Sequence, residues 1–356
     1  MKFFKLDWWL LVILLILAGA SLISIYSIQT NLFYYQLLWF CLGFLIILIT
    51  SQINWRWFAT RKWFIFSFYG LAIFLLIVVL FFNQPIRGAR SWLVLGFFRF
   101  QPSELVKVVL IMIYASFFAR RHLEASVTRN IVVSFFYFLL PAILVFLQPN
   151  LGTALIFFGI WFGFLIVSGL KWPRFLAGII ILFLIFSLLW LFFLKSYQKE
   201  RVSSFFFPSK NLLGANYNVS QSKIAIGSAG FFGKGFRQGT QIQLGFLPEA
   251  QTDFIFSAFI EEWGLVGGLL LLFAFLTFIF RIIKIGLKAD NNWAKFVCLG
   301  VVISFGLQFF LNIGSCLGLS PVVGTTFPFF SYGGSSLLTS ALLIGIIQYI
   351  AIGSPF

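Results

Sequence analysis

The chain has 356 residues, of which 61% are hydrophobic, with a mean hydropathy of +1.03 and a formal net charge of +16. Such a composition excludes an ordinary soluble domain. The charges alternate with apolar runs instead of forming a continuous basic domain, which excludes nucleic-acid binding.

About 20 consecutive apolar residues cross a bilayer as a helix. The runs here are unbroken, whereas a membrane β-barrel alternates polar and apolar residues over strands of about ten. The expected fold is therefore an all-α polytopic membrane protein, a single domain over 1–356. The N-terminal MKFFK, followed by an apolar run and AGAS, resembles a secretory signal. The many later spans favour a retained first helix. Ten spans are expected, at about 8–28, 31–51, 63–82, 103–118, 131–147, 151–170, 175–195, 254–282, 294–312 and 336–354. The longest polar connection, roughly 196–252, joins the seventh and eighth spans, and a connection of that length is usually functional or disordered. Cys41, Cys298 and Cys316 lie in apolar runs at no ligand spacing and are read as packing residues. The single histidine, His122 in ARRHLE, sits in a solvated loop, so neither histidine catalysis nor a histidine metal site is expected.

Cytoplasmic loops carry excess Lys and Arg. With the N-terminus inside, the inner set is Lys2, Lys5, Arg56, Arg61, Lys62, Arg120, Arg121, Arg129, Lys171, Arg174, Arg281, Lys284, Lys288 and Lys295, and an even span count returns the C-terminus to the cytoplasm. The remaining cations form two outer groups. One is Arg87, Arg90, Arg99 and Lys107; the other is Lys195, Lys199, Arg201, Lys210, Lys223, Lys234 and Arg237. Two readings stand. Long loops translocate regardless of charge, or the outer face binds an anionic ligand such as a pyrophosphate, which Arg and Lys clamps hold.

Four of the nine acids, Glu249, Asp253, Glu261 and Glu262, fall within LPEAQTDFIFSAFIEEWG (247–264). Read as a helix with Pro248 in its first turn and Thr252 as a second candidate cap, this stretch puts Glu249, Asp253, Ser257 and Glu261 on one stripe. Asp253 then lies at the wet outer boundary, where catalysis or ligand binding is expected. Glu261 and Glu262 lie deeper, and at least one is expected to form an internal ion pair.

A second island, GARSWLVLGFFRFQPSELVK (88–107), brings Arg90, Trp92, Arg99, Gln101, Glu104 and Lys107 to the start of a span. Singly these are an interfacial tryptophan, a helix-start acid and a local i,i+3 pair. Together, on the side of Asp253, they describe a polar cavity. QPNLGTAL (148–155) is a tight connection, and NIGSCLGLSPVVGTTFPFFSYGGSS (312–336) is irregular at membrane depth, which is tolerated only inside protein or along a cavity.

These segments, with QSKIAIGSAGFFGKGF and GTQIQLGFLPEAQTDFIFSAFIEEWGLVGG, occur in an order that resembles the SEDS family of shape, elongation, division and sporulation proteins (RodA, FtsW and SpoVE) from the first span to the last. The length and short termini are nearest the RodA branch. The resemblance implies a peptidoglycan glycosyltransferase of the bacterial cytoplasmic membrane, polymerising lipid II outside it for cell-wall elongation and cell shape, alongside a class B penicillin-binding protein. It implies that Asp253 is the essential acid and that Trp92, Glu104 and Lys107 are the polar residues of the first outer island. The substrate-binding candidates are then Arg90, Trp92, Arg99, Gln101, Glu104, Lys107, Lys199, Arg201, Lys210, Lys223, Lys234, Arg237 and Glu249. Basic residues or a divalent cation, magnesium or manganese, would hold the pyrophosphate. Two positions depart from the family pattern: Asn150 stands where Asp is usual, and GSAG, with Ala229, replaces GSGG. The alternatives are a lipid II flippase using the same cavity and a scaffold without chemistry. Clustering of the polar residues on one side favours the enzyme.

Overall fold

The structure is a computed structural model that describes residues 6–82, 91–96, 98–121, 127–170, 172–188, 191, 199, 203, 205–206 and 216–353. In chain order these form α1 (Trp8–Ile28), α2 (Thr30–Gln52), a short α3 (Trp55–Thr60), α4 (Lys62–Phe82), β1 (Leu93–Leu95), β2 (Phe98–Phe100), α5 (Pro102–Arg121), α6 (Thr128–Leu147), α7 (Leu151–Val167), α8 (Trp172–Leu188), α9 (Tyr217–Ser228), α10 (Thr240–Gln243), α11 (Ile255–Lys288), α12 (Asn292–Leu317) and α13 (Gly334–Gly353).

Among the described residues, eight helices are long and apolar enough to cross a membrane: α1, α2, α4, α5, α6, α11, α12 and α13. The expected spans at 151–170 and 175–195 correspond to α7 and, as far as the described residues go, α8, of 17 residues each, at the lower end of the length that crosses a bilayer. The all-α membrane fold stands. Three local features were not expected from sequence. They are the interfacial α3, the antiparallel hairpin β1–β2 inside the 88–107 island, and the helices α9 and α10 within the long connection.

Polar caps and helix-end partners set where the spans begin. Asp7 accepts from the Leu10 amide at 2.9 Å and Asn291 from the Ala294 amide at 2.9 Å, each satisfying an orphan donor of a first turn. The core runs along α5, α7, α12 and α11, where Tyr114 and Phe118 of α5 meet Phe164 of α7 and Phe275 stacks on Phe309 at 4.5 Å. α1 is bound into this core. Asp7 pairs with Arg281 at 2.7 Å and exchanges hydrogen bonds with Gln348, while the Ser21 hydroxyl donates to the Phe330 carbonyl at 2.7 Å.

Successive spans reverse direction. One end of the bundle therefore carries the β1–β2 hairpin, residues 247–254 and the irregular segment 318–333. The opposite end carries α3 and the last turn of α5.

α11 is not continuous. Gly264, at φ 72° and ψ −176°, breaks it, and the chain before α10 fills the gap. Lys234 and Gly235 donate their amides to the Glu261 and Glu262 carbonyls at 2.9 and 3.1 Å. Beyond the break, Leu265 and Val266 donate to the Gly230 and Phe231 carbonyls at 3.1 Å each. The backbones approach so closely that a Cβ on Gly233 or Gly264 would collide with main chain. The broken helix thus recovers its missing hydrogen bonds from an external segment, as backbone at membrane depth requires.

Candidate active site

The stretch around Asp253 departs from the helical expectation. Residues 248–254 form turns, Glu249 has φ 56°, and α11 begins only at Ile255. The stripe read from four-residue spacing therefore holds for Ser257 and Glu261 but not for Glu249 and Asp253. A helix here would have used the carbonyls of 251–253 internally. In the turn they point outward and are taken by other segments.

Three consecutive carbonyls are held in this way. Gln251 O accepts from the Tyr332 amide at 2.9 Å, Thr252 O from the Ser331 hydroxyl at 2.7 Å, and Asp253 O from the Asn312 amide at 3.2 Å. The Cys316 thiol also donates to Asp253 O at 3.5 Å, and Asn312 reaches the Thr325 carbonyl at 2.8 Å. The residue carrying the acid is thus fixed to α12 and to the segment before α13. Its side chain lies over Gly324, an exposed residue at φ 69°: a Cβ there would be 3.7 Å from Asp253 Oδ2. Asp253 itself is half-buried, so a main chain locked on one side presents a carboxylate on an open one.

Two further segments border this carboxylate. The start of α7 abuts 323–325, since Gly152 leaves no room for a Cβ against the Val323 carbonyl. There Asn150 accepts from the Thr153 amide at 3.2 Å as the N-cap of α7. Asp and Asn cap helices about equally well, so the departure from the family's usual Asp keeps the cap and removes the charge. On the other flank, α9 packs on α11 and α12. The Ser222 hydroxyl donates to the Cys316 carbonyl at 2.7 Å and lies 2.6 Å from the Ser257 hydroxyl. One residue on, Lys223 is exposed and lies against Gly318.

The described part of the 88–107 island meets the first turns of α13. The Gln101 amide donates to Ser335 Oγ at 3.1 Å, and Thr339 Oγ1 donates to Glu104 Oε2 at 3.2 Å. Glu104 and Lys107 form a 2.7 Å ion pair, both buried, so the local pair anticipated from i,i+3 spacing is present inside the protein. Arg99 is exposed on β2 beside Tyr332; burial pushes the Tyr332 hydroxyl pKa up, while its hydrogen bond with Trp39 and the Arg99 charge oppose that rise. Trp92, half-buried, precedes β1.

Lys234 and Arg237 are engaged elsewhere. Lys234 pairs with the fully buried Glu261 at 2.7 Å and donates to Thr240 Oγ1 at 2.8 Å. Arg237 lies 4.5 Å above the Tyr26 ring and donates to Tyr26 O and Thr30 Oγ1 at 3.0 Å each. Glu262 accepts from the Ser27 hydroxyl and the Arg237 amide. The four acids of 247–264 therefore divide. Glu261 and Glu262 hold the docked segment to α11 and α1, while Glu249, which accepts from the Thr252 hydroxyl at 3.3 Å, and Asp253 lie at the surface turn. Lys199 is half-buried. Arg90, Arg201 and Lys210, like His122, lie outside the described residues.

The profile of the FtsW, RodA and SpoVE family, described as cell cycle proteins, matches residues 2–354. The chain belongs to that family. Among curated relatives, it is 38% identical over 282 residues to the peptidoglycan glycosyltransferase MrdB of Escherichia coli strain K12, covering 79% of this chain and 76% of that protein. It is 34% identical over 352 residues to the probable peptidoglycan glycosyltransferase FtsW of Coxiella burnetii, covering 95% and 92%. Its fold superposes with a TM-score of 0.83, at 31% identity and 97% coverage of both chains, on a chain from a peptidoglycan synthase complex described as coordinating polymerization and crosslinking. It superposes on the rod shape determining protein RodA of Thermus thermophilus with a TM-score of 0.72, at 26% identity, covering 99% and 98%.

Within this family fold, the residues that sequence reasoning left unnamed are Asn312, Ser331 and Tyr332. Each lies in a segment marked as irregular and polar at membrane depth. The signal for Asn312 was its placement in an otherwise apolar run, where a buried amide must find partners.

Proposed function

We propose that this chain is a peptidoglycan glycosyltransferase that polymerises lipid II at the outer face of the cytoplasmic membrane, with Asp253 as general base. The observation that carries the reading is the Asp253 turn: a carboxylate on an open surface whose backbone is held at three successive carbonyls. A group that must stand within hydrogen-bond reach of a hydroxyl benefits from such fixing.

In the proposed step, the 4-hydroxyl of the acceptor's N-acetylglucosamine attacks C1 of the N-acetylmuramic acid at the lipid-linked end of the growing strand. The C1–oxygen bond to pyrophosphate breaks with inversion, the hydroxyl proton passes to Asp253, and undecaprenyl pyrophosphate leaves with the bonding pair. Lys223 and Arg99, both exposed on segments that reach 316–318 and Tyr332, are the described cations best placed to meet the leaving pyrophosphate. Lys234 and Arg237 are the less suited, since their partners are already internal.

Among the described residues, no group of three His, Cys, Asp or Glu side chains could hold a metal. A magnesium or manganese ion at this site would have Asp253 and the substrate's own phosphates as ligands, a set such ions accept. Bound there, the ion would neutralise charge on the leaving group.

The proposal extends to topology and partners. The end carrying α3 faces the cytoplasm, both termini included. A class B penicillin-binding protein crosslinks the strands this chain makes. Elongation and cell shape are the favoured process, from the likeness to MrdB and RodA proteins. A flippase reading would need a polar route open to both leaflets, whereas at the end opposite Asp253 the buried Asp7 is engaged by Arg281 and Gln348 inside the bundle. The deciding experiment is polymerisation of purified lipid II by the wild type and Asp253→Asn, with products resolved on a gel.

A further inference from the structure

At the end of the bundle opposite Asp253, α3 is fixed on several sides. Asn54 caps it, accepting from the Trp57 amide at 3.3 Å and from the Tyr349 hydroxyl at 2.7 Å. The Trp55 indole donates to the Thr50 carbonyl at 2.8 Å, and Arg120, from the last turn of α5, donates to the Thr60 carbonyl at 3.4 Å. A six-residue helix cannot hold itself in water; here its neighbours hold it against the ends of α2, α5 and α13.

The cations it gathers are Arg56, Arg61, Lys62, Arg120 and Arg121, all exposed. Among the described residues none of the five is paired with a carboxylate. Two are stacked: the Arg61 guanidinium lies 4.1 Å over the Trp57 ring and that of Arg121 lies 4.6 Å over the Phe117 ring. Stacking covers the flat face of a guanidinium and leaves its edge of N–H donors available, the fork that matches a phosphate. Trp57 and Trp63 stand exposed beside them, 45% and 61%, as aromatic residues do at the headgroup level of a bilayer. A rule of loop charge requires cations on this face, but it does not require them to be stacked and gathered on a pinned helix.

We propose that α3 and the last turn of α5 form a binding site for an anionic phospholipid of the leaflet this end meets, its headgroup phosphate held by Arg61, Arg120 and Arg121. The site is remote from Asp253 and independent of the reaction assigned there. Charge complementarity selects the occupant. A leaflet rich in anionic lipid attracts such basic segments, and the exposed tryptophans place the guanidinium edges at headgroup depth.

The test uses the full-length protein purified in detergent, with native mass spectrometry reading retention of phosphatidylglycerol against phosphatidylcholine of the same acyl chains. The wild type is expected to retain phosphatidylglycerol preferentially. The triple variant Arg61→Gln, Arg120→Gln, Arg121→Gln is expected to lose at least tenfold of that preference. Lys284→Gln, Lys288→Gln, Lys295→Gln, which removes equal charge from the same end at α11 and α12, should keep it. Unchanged retention in the arginine triple, or an equal loss in the lysine triple, overturns the site. If the arginine triple fails to insert, Arg61→Lys, Arg120→Lys, Arg121→Lys keeps the charge and removes the forks. A loss of threefold or more then supports the site, and retention equal to wild type overturns it.

Discussion

Asn312 donates one amide group to two carbonyls, that of Asp253 at 3.2 Å and that of Thr325 at 2.8 Å. Asp253 lies in the turn before α11 and Thr325 in the segment before α13, so one buried side chain sets the spacing between the acid and the Gly324 surface beneath it. The assignment of its amide is unambiguous: a flipped Asn312 would set its oxygen against two acceptors. Asn312→Ala should therefore insert and fold with a loss of about 1–3 kcal/mol, since the Thr325 carbonyl loses this donor and the Asp253 carbonyl keeps the Cys316 thiol. Polymerisation should fall about 10- to 100-fold as the acid loses its fixed position, with lipid II affinity within about threefold of wild type. Thermal melts and single-turnover rates check this; an unchanged rate would show that the clamp does not position Asp253.

The ion pair Lys234–Glu261 has a fully buried carboxylate, while the lysine is about one quarter exposed, at 23%. Removing the lysine alone leaves that carboxylate without its cation. Lys234→Met is thus expected to cost about 3–5 kcal/mol, and Lys234→Met with Glu261→Gln distinctly less. Thermal unfolding of both variants in detergent tests it. Equal destabilisation would mean that the pair holds no strongly coupled charge and that Glu261 acts through its hydrogen bonds to Thr240 and Gln241.

Lys223 is the exposed cation on the flank of the Asp253 turn, against Gly318. If it meets the pyrophosphate, Lys223→Gln weakens lipid II binding by about 1.5–3 kcal/mol, the scale of a charge-assisted hydrogen bond. Arg237→Gln, which removes a cation held on Tyr26, should leave affinity near wild type. Binding titrations with lipid II decide between them, and the reverse ranking would move the anion site to the docked segment.

The topology can be read with single cysteines placed in a cysteine-free background. Position 248 is exposed in the Asp253 turn, and position 62 begins α4 at the opposite end. In intact cells a membrane-impermeant maleimide should label position 248 and label position 62 only after permeabilisation. The opposite pattern would invert the proposed orientation.

How much of this was legible beforehand depended on range. The spans were, because each is a long apolar run whose burial needs no partner to be recognised: α1, α2 and α4 fall within a residue or two of their expected bounds. The Glu104–Lys107 pair was also legible, being a matter of i,i+3 spacing. The 248–254 turn was not. Four-residue spacing favours a helix locally, and what defeats it is a set of donors from Asn312, Ser331 and Tyr332, some 60 to 80 residues away. The Lys234–Glu261 pair was not legible for the same reason. Its partners are 27 residues apart, and Glu261 lies on α11 just before a break at Gly264 that no local pattern announces.

Asp253→Asn is the sharpest test of the active site. The substitution is nearly isosteric. The backbone that holds the residue uses its carbonyl and not its carboxylate, so the hydrogen bonds from Asn312 and Cys316 survive it. The side chain is half-buried over the exposed Gly324, where an amide costs little to solvate. The variant should therefore fold, insert and bind lipid II like the wild type. Loss of a general base removes about 10²–10⁴-fold in rate, and that is the expected fall in polymer formed. A metal-ligand role would lower the rate as well, and the two separate in the divalent-ion titration: raised magnesium or manganese should rescue a weakened ligand partly and a missing base not at all. Glu249→Gln, on the same turn but bonded to Thr252, and Glu262→Gln, bonded to Ser27, serve as controls and should keep most of the activity. Near-normal polymerisation by correctly inserted Asp253→Asn would remove the catalytic assignment and restore the flippase and scaffold readings.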